Sequence, residues 1–305
     1  MAMSVLLLFL DGVGCGERLP GNPATATAEQ LFASFDQGAV RDKPLPKAGV
    51  ALRLDANMGV KGRPQSGTGH TAILTGRNAP QMLGMHLWAL PNDRLREALR
   101  SDGIFGSLNR AGFSTRFLNA YRPPFFDWGD ALWTNRKWRR YLSATSWANH
   151  YAGNPFFDID DLRARRSVSH DFSNKGFAEA GFDVPVLSME EAGAIVARAA
   201  SRYDFSMHEH FLTDLVGHRG DYDDALRLLS GAETFLLSVL EHLDLERHSV
   251  LVCSDHGNIE EPWHGRHTEN AAVGMVFGPL SQACDRLQAL YDIAPVVQDH
   301  LKRLK

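Results

Sequence analysis

Two apolar runs that each end in an aspartate place the strongest constraint on the fold. Residues 4–12 read SVLLLFLDG, and residues 249–257 read SVLVCSDHG. A strand that is buried on both faces of a parallel sheet has this pattern. Residues 271–279, AAVGMVFGP, predict a third such strand, and residues 202–214 predict a fourth despite their polar side chains.

Helical patterns alternate with these strands. Residues 221–243 repeat apolar side chains at helical spacing and begin with acidic residues, which favour a helix N-terminus. Ser188 and Glu191 have the spacing of a capping box, and residues 92–101 and 294–304 also read as helices. Strands alternating with helices predict an α/β fold, a mostly parallel sheet sandwiched by helices. The ligand site of such a fold lies at the carboxyl ends of the strands.

The middle of the chain has a different character, because it is rich in aromatic residues and arginine and has poor periodicity. We expect residues 81–199 to form an inserted smaller cap domain, and residues 1–80 and 200–305 to form the core. The cap contains a basic run interleaved with tryptophans: Arg136, Lys137, Arg139 and Arg140 with Trp133 and Trp138. Such a run is more often a solvated helix face over buried aromatics than a nucleic-acid patch. It could bind an anionic substrate if it faced the site.

The composition excludes several classes of protein. The 305 residues are 44% hydrophobic and 22% charged, and the formal net charge of −4 argues against a general nucleic-acid binder. The three cysteines lack framework spacing, which indicates a reducing compartment. The N-terminal apolar run lacks the basic start and the cleavage site of a signal peptide, and no apolar stretch approaches the roughly 20 residues that span a bilayer. We expect a soluble cytoplasmic protein, and the sequence leaves its oligomeric state undefined.

Four segments carry side chains that could bind metal. They contain Asp11, Ser66, Asp214 with His218, and Asp255 with His256 and His267. This mixture of oxygen and nitrogen ligands suits Zn²⁺ or Mn²⁺, without selecting between them, and suits Mg²⁺ less. The set is larger than one metal with an open position needs, and it is about right for two. Taken singly, each residue also has a structural interpretation as a helix cap, a turn residue or a surface histidine.

Taken together, the segments resemble a known superfamily. FLDGVG, QSGTGHTAILTGR, TDLVGHRGD, SDHGN and GRHTEN, in this order, resemble the alkaline phosphatase superfamily of binuclear metalloenzymes. The nearest branch is that of cofactor-independent phosphoglycerate mutase and phosphopentomutase, and the resemblance covers roughly residues 1–80 and 200–305. It implies two divalent metal ions, one held by Asp214, His218 and His267 and the other by Asp11, Asp255 and His256, with Ser66 bridging to it.

The resemblance also implies the nucleophile. Ser66 occupies the position of the nucleophilic serine of the mutases, and Thr68 is the alternative because other branches use threonine. Metal coordination lowers the pKa of a hydroxyl, and the N–H groups of a helix that begins at Ser66 could bind phosphoryl oxygens. A covalent phosphoserine intermediate is therefore expected. Secondary candidates for substrate contact or site support are His70, Arg77, His264 and Arg266, whereas His208 and His210 read as structural.

The reaction itself stays open at this stage. A phosphomonoester hydrolase acting through Ser66 is the leading hypothesis. The alternatives are a phosphomutase acting on a small sugar phosphate or phosphoglycerate-like acid, a phosphodiesterase, and a non-catalytic metal-binding module. The expected partner is a small phosphorylated metabolite, with no nucleic acid and no membrane. The substrate does not carry over, because the cap matches neither mutase family's substrate-binding motifs.

Overall fold

The computed structural model describes residues 3–33 and 44–303, and its centre is a six-stranded sheet. The strands are β1 (Val5–Leu10), β2 (Val50–Leu54), β3 (Thr115–Phe117), β4 (Phe205–His210), β5 (Ser249–Cys253) and β6 (Ala272–Phe277). Their order across the sheet is β2-β6-β5-β1-β4-β3. The strands β5, β1, β4 and β3 are parallel, and β6 runs antiparallel to both β5 and β2. The predicted α/β fold with a mostly parallel sheet is confirmed.

Helices cover both faces of this sheet. They are α1 (Ser66–Thr75), α2 (Ala79–Leu83), α3 (Asp93–Asp102), α4 (Ile104–Arg110), α5 (Pro123–Asp127), α6 (Ala131–Thr134), α7 (Ala144–Tyr151), α8 (Ile159–Arg163), α9 (Lys175–Glu179), α10 (Met189–Ala200), α11 (Leu212–Arg219), α12 (Tyr222–His242) and α13 (Ile293–Arg303). Short 3₁₀ helices span Pro23–Thr25, Pro46–Ala48, Arg139–Tyr141, Pro262–His264, Pro279–Arg286 and Leu290–Asp292. The predicted helices correspond to α3, α10, α12 and α13, and the capping box of Ser188 and Glu191 is present at the start of α10.

Strand β1 is buried along its whole length because both faces of the sheet are covered. Leu6 and Leu8 belong to one core, which α10 and α12 complete. Leu7 and Phe9 belong to a second core, which α1, α3, α7 and α13 complete. Each fully buried side chain of this size contributes about 1.5–3 kcal/mol by its removal from water. The uninterrupted apolar run of the sequence therefore reflects burial on two sides.

Strand β4 is also fully buried, although three of its six residues are titratable. His208 Nε2 lies 3.1 Å from the Ser169 carbonyl oxygen, and His210 Nδ1 lies 2.7 Å from the His170 carbonyl oxygen. Both imidazoles also stack on the Phe172 ring. Burial lowers the pKa of His208 to about 3 and that of His210 to about 4, so both are neutral at pH 7.

Strand β6 corrects one expectation, because its sequence predicts a further strand of the parallel type. Parallel neighbours need a crossover, usually a helix, whereas antiparallel neighbours can be joined by a loop that turns straight back. The segment between β5 and β6 contains only one short 3₁₀ helix. The chain therefore returns antiparallel, and the loop of residues 254–271 connects the carboxyl end of β5 to the adjacent start of β6.

Residues 81–199, predicted as an inserted cap, contribute to the sheet as well as to its surroundings. They supply the edge strand β3, which pairs with β4, and the helix α10, which packs on α12. They also supply α3, α4 and α7, whose apolar side chains share a core with α1. The division into core and cap stays a prediction, and from this range only residues 88–90, 141 and 143 line the cleft that contains most of the predicted ligands.

Among the residues that the structure describes, no helix is both long enough and apolar enough to cross a membrane.

Candidate metal centre

The carboxyl ends of three neighbouring strands bring the predicted acidic ligands together. Asp11 follows β1, Asp255 follows β5, and Asp214 lies in the first turn of α11, just after β4. Gly12 makes the close approach possible, because its φ is +72° and a Cβ there would lie 2.9 Å from the Asp214 Cα. Asp214 and His218 are four residues apart on α11 and therefore share one face of that helix.

Helix α1 begins at Ser66 and points its N-terminus into the same site. Ser66 Oγ lies 3.0 Å from His256 Nε2, and the serine is buried. Gly69 allows this packing, because a Cβ at that position would lie 2.8 Å from the Asp255 Cβ. The first N–H groups of a helix have no partner inside it, so the start of α1 is suited to bind the oxygens of an anion.

The loop between β5 and β6 is held by a buried carboxylate that sequence reasoning missed. Glu260 accepts hydrogen bonds from the backbone N–H groups of Gly14 and Asn258, at 3.0 and 2.8 Å, and from the Thr268 hydroxyl at 2.7 Å. Asn258 in turn donates to Asp214 Oδ1 at 2.7 Å. The bonds from Gly14 to Glu260 and from Asn258 to Asp214 span long sequence separations, so no local pattern marks them. They fix the loop that carries Asp255, His256 and His267.

Three histidines are oriented so that the same ring nitrogen of each faces the centre. The Nδ1 atoms of His218, His256 and His267 lie 2.9, 3.3 and 2.8 Å from the carbonyl oxygens of Gly265, Gly257 and Pro64, respectively. A carbonyl oxygen can only accept, so each Nδ1 carries a proton, and Nε2 is the nitrogen that each ring can offer to a cation. His218 Nε2 and His267 Nε2 lie only 3.1 Å apart. Two facing lone pairs repel each other unless a proton or a cation lies between them, and histidines that bind metal typically donate their other ring N–H to a carbonyl or carboxylate in this way.

Two buried carboxylates of the site also lack enough hydrogen-bond donors, within the part of the chain that the structure describes, to balance their negative charge. Asp11 Oδ1 and Asp255 Oδ2 are buried and have no well-directed hydrogen-bond donor among the described residues. His256 Nε2 lies 3.3 and 3.2 Å from these two oxygens. Burial lowers the pKa of His256, but the Asp255 and Asp11 carboxylates outweigh it and raise the pKa to about 9. Burial raises the pKa of Asp255, but His256 and His70 outweigh it and lower the pKa to about 2.

The His70 imidazole lies beside the same two carboxylates as His256. Its Nε2 lies 3.2 Å from Asp11 Oδ2 and 3.2 Å from Asp255 Oδ2, and its ring meets Phe9 edge to face. Burial lowers the pKa of His70, but the Asp255 and Asp11 charges raise it well above its usual value. A protonated Nε2 donates to Asp11 Oδ2 and places positive charge beside Asp255 Oδ2.

The donor atoms form two groups that could each hold a cation. In each group the ligand atoms lie within 4.8 Å of one another, one group being Asp214, His256 and His267 and the other Asp11, His70 and Asp255. His256 also approaches the second group through Asp11 and Asp255, so the two groups are contiguous. Neutral imidazoles, carboxylates and a serine hydroxyl that converge in a buried space are a donor set for divalent metals.

These residues line one end of an open cleft of about 410 Å³. Its walls include Ser66, His267 and Asp214 below and the exposed side chains of Trp88 and Tyr141 above.

The cleft also contains a buried carboxylate that sequence reasoning missed. This is Glu209, whose Oε1 lies 3.7 Å from His70 Nδ1. Burial is the main cause that raises the pKa of Glu209 to about 7. The only signal for it was a charged residue within an otherwise buried strand.

Thr68 and Arg77 do not line the cleft. The Thr68 hydroxyl donates to the Gln65 carbonyl at 3.0 Å and accepts from the Leu87 N–H at 3.3 Å. Arg77 lies beyond the far end of α1, where Nε is 3.0 Å from Asp102 Oδ2, and it is largely exposed. The substrate contact predicted for Arg77 is not supported, because the ten-residue helix α1 separates it from Ser66.

The remaining candidates lie at the surface. His264 and Arg266 are exposed, and His264 pairs with Glu261 at 3.1 Å. The basic run of the cap lines a separate surface depression beside the start of α3. There Arg139 Nη2 lies 3.5 Å from Asp93 Oδ1 and Lys137 lies over the Trp138 ring. These contacts match the interpretation of the run as a solvated face over aromatic side chains.

Comparisons with known proteins agree with this geometry. The model of the metalloenzyme superfamily matches residues 178–303. A 2,3-bisphosphoglycerate-independent phosphoglycerate mutase of Paracoccus denitrificans is 32% identical over 123 residues, which cover 38% of this chain and 24% of the relative. The mutase of Bacteroides fragilis is 22% identical over 295 residues, which cover 91% of this chain and 55% of the relative. The chain thus spans about a quarter to about half of the length of these relatives.

Two solved structures show the same fold. The PH0037 protein from Pyrococcus horikoshii aligns with a TM-score of 0.57 at 13% identity, covering 99% of this chain and 98% of that one. A cold-active alkaline phosphatase from the psychrophile Shewanella sp. aligns with a TM-score of 0.50 at 11% identity, covering 99% and 100%. At this identity the likeness is one of fold alone.

The partial match to the metalloenzyme superfamily model, the fold and the donor set support the resemblance of this chain to metalloenzymes of the alkaline phosphatase superfamily. Its distant relatives include the 2,3-bisphosphoglycerate-independent phosphoglycerate mutases. The resemblance predicted from the five sequence segments is confirmed.

Proposed function

We propose that this protein is a metal-dependent phosphomonoester hydrolase that uses Ser66 as its nucleophile. The observation that carries the proposal is the position of the Ser66 hydroxyl. It lies at the N-terminus of α1, 3.0 Å from His256 Nε2 and beside the buried Asp11 and Asp255 carboxylates. A serine at a helix N-terminus, within a divalent metal donor set, has what phosphoryl transfer to a hydroxyl needs.

Two divalent metal ions, Mn²⁺ or Zn²⁺, fit the donor set. We assign one to Asp214, His218 and His267, and the other to Asp11, Asp255 and His256 with Ser66. When bound, the metals supply positive charge that lowers the pKa of the serine hydroxyl and stabilises the charge of the transferring phosphoryl group. The donor set alone does not select the metal, because both ions accept this mixture of ligands.

The reaction has two balanced steps. In the first, Ser66 Oγ forms a bond to phosphorus while the bond from phosphorus to the ester oxygen breaks, and the serine proton is lost as the departing alcohol gains one. In the second, the oxygen of a water molecule forms a bond to phosphorus, the bond to Ser66 Oγ breaks, and the serine regains its proton. The products are the alcohol and inorganic phosphate, and the intermediate is phosphoserine at position 66. The N–H groups at the start of α1 hold the phosphoryl oxygens in both steps.

Water access favours hydrolysis over transfer to a second hydroxyl. Trp88, Tyr141 and Leu215 line the cleft and are 73%, 61% and 44% exposed. A mutase must keep its substrate and turn it over while water is excluded. The alternative of a phosphomutase rests on the names of the curated relatives. It predicts an isomerised product without release of phosphate.

The test is phosphate release from 4-nitrophenyl phosphate and a panel of sugar phosphates. The full-length protein is stripped of metal and refilled with Mn²⁺ or Zn²⁺, beside Ser66→Ala and the control Thr68→Ala. We expect release that requires metal and is reduced in Ser66→Ala to the level of the metal-free protein, while Thr68→Ala retains activity. Release that persists in Ser66→Ala would overturn the proposal, and an isomerised product without phosphate would establish the mutase.

A further inference from the structure

A second cavity opens from the metal cleft and has aromatic walls. It encloses about 340 Å³, and we call it the aromatic chamber. It shares Tyr141, Ser143, Glu209 and Phe211 with the cleft. The apolar side chains on its walls are those of Tyr121, Phe125, Trp128, Leu132, Phe177 and Phe211. A volume near the lower end of the range for ligand pockets, about 300–1,000 Å³, suits a group of one or two rings.

Several polar groups of the chamber have partners within the protein, whereas His170 Nδ1 is buried without one among the residues that the structure describes. The Asn119 side chain bonds the backbone of Glu209 in both directions, at 2.7 and 2.9 Å. The Tyr121 hydroxyl lies 2.6 Å from Ser146 Oγ, and Arg122 donates to the Gly176 carbonyl at 2.7 Å. Most of the wall is apolar, so a ligand with several hydroxyl groups would leave most of them without a hydrogen-bond partner there. An apolar ring can bury its surface against the same side chains without needing such partners.

Exposed aromatic side chains are concentrated at the entrance. Trp128 in the chamber is 41% exposed, and Trp88 and Tyr141 at the cleft are 73% and 61% exposed. Large aromatic side chains lose solvent contact at little cost in conformational entropy, so exposed groups of them mark binding sites. The chamber and the cleft share four wall residues, so these rings border space that is continuous with the cleft at Ser66.

We propose that the aromatic chamber binds the aryl portion of the substrate, which is a phosphomonoester of an alcohol that carries a one- or two-ring aromatic group. This inference rests on the proposed function, since the phosphate of the same molecule lies at Ser66. It distinguishes the chain from an enzyme for phosphorylated sugar acids, because the mostly apolar walls suit a ring better than a chain of hydroxyl groups. Trp128 and Tyr141 act as specificity residues.

The first experiment measures binding without catalysis. 2-Naphthylmethanol is titrated calorimetrically into the full-length, metal-free protein, with glycerol as the comparison ligand. We expect the aryl alcohol to bind and glycerol not to bind. Trp128→Ala and Tyr141→Ala each weaken the binding about fivefold, the scale of one aromatic contact. Phe126→Ala is the matched control, because Phe126 is 39% exposed and lies close to Trp128 in the chain but outside the chamber walls. It leaves the binding unchanged.

The second experiment uses the metal-loaded enzyme and two esters of primary alcohols, so that leaving-group basicity is similar. The ratio of kcat/KM for 2-naphthylmethyl phosphate over glycerol phosphate falls about fivefold in Trp128→Ala and stays constant in Phe126→Ala. Binding of the alcohol without hydrolysis of either ester would support the chamber and refute the proposed function. Hydrolysis of both esters with equal kcat/KM, together with no binding of the alcohol, would refute the chamber and leave the proposed function standing.

Discussion

At the scale of single residues, the site is defined by which atom each side chain presents. His218, His256 and His267 each anchor Nδ1 on a backbone carbonyl and turn Nε2 inward. Asp11 and Asp255 leave one buried oxygen each without a directed donor. Residue types alone predict metal ligands, whereas the shared orientation of the three rings directs their Nε2 atoms toward one space that a cation could occupy.

Removal of one ligand should therefore remove metal without unfolding the chain. We expect His218→Ala to lower the affinity of one metal by more than about 100-fold, because even an outer partner of a metal ligand is worth about 10- to 100-fold. His218 lies on α11 with 37% of its side chain exposed, so its loss leaves the core intact. Metal content is measured after dialysis against a weak chelator. His264→Ala, in an exposed position of the neighbouring loop, serves as the control and should retain all its metal. Equal metal content in the two variants would refute the assignment of His218.

At the scale of elements, the site depends on how closely α1 approaches the turn after β5. The contact occurs at Gly69, where a Cβ would lie 2.8 Å from the Asp255 Cβ. Gly231 in α12 offers a contrast, because a Cβ there would meet only side-chain atoms of Met189 at 3.8 Å or more. Both glycines lie inside helices, so the intrinsic helix preference is the same for both.

The two glycines should respond oppositely to alanine. We expect Gly69→Ala to lower the free energy of unfolding by about 1–3 kcal/mol, the usual cost of overpacking, and to reduce activity by shifting Ser66. Gly231→Ala should be neutral or stabilising by up to about 1 kcal/mol, the helix preference of alanine over glycine. Urea unfolding with a parallel activity assay checks both. Gly69→Ala with unchanged stability and activity would contradict the packing described for α1.

The elements also show what the sequence can and cannot predict. Local sequence patterns predicted four elements correctly: apolar runs for β1 and β5, a capping box for α10, and a helical period for α12. β2 and β3 were missed, because β2 is a partly exposed edge strand and β3 has only three residues. The parallel direction predicted for β6 was wrong, because the residues of a strand do not show whether its neighbour runs parallel or antiparallel to it. Glu209 and Glu260 were missed because their partners lie far away in the sequence or across the fold.

At the scale of the whole molecule, buried neutral histidines make stability depend on pH. His208 and His210 have pKa values lowered to about 3 and about 4 by burial, whereas an unfolded histidine titrates near 6.5. Between these values the unfolded chain binds more protons than the folded one, so the free energy of unfolding falls as pH falls. Asp255, with a pKa of about 2, adds to this loss only below about pH 5.

Each of the two buried histidines should lower the stability of the metal-free protein between pH 6.5 and pH 5 by up to about 1.4 kcal/mol per pH unit. Glu209, whose pKa is raised to about 7, takes up a proton in the folded state in the same window and offsets about one histidine's contribution, so a net loss of stability remains. The measurement is urea unfolding across this window in the presence of a chelator. His208→Gln should reduce the dependence of the free energy of unfolding on pH by the contribution of one histidine. The exposed control His264→Gln should leave that dependence unchanged. A slope that is the same in all three proteins would show that His208 takes up its proton without unfolding.

The central claim is that Ser66 carries the phosphoryl group during turnover. The most direct measurement is rapid acid quenching of the metal-loaded enzyme during turnover of a phosphomonoester, followed by peptide mass spectrometry. We expect one added phosphoryl group on Ser66, present with metal and absent from the metal-stripped protein. A phosphoryl group on Thr68, or turnover with no phosphorylated peptide at any quench time, would contradict it.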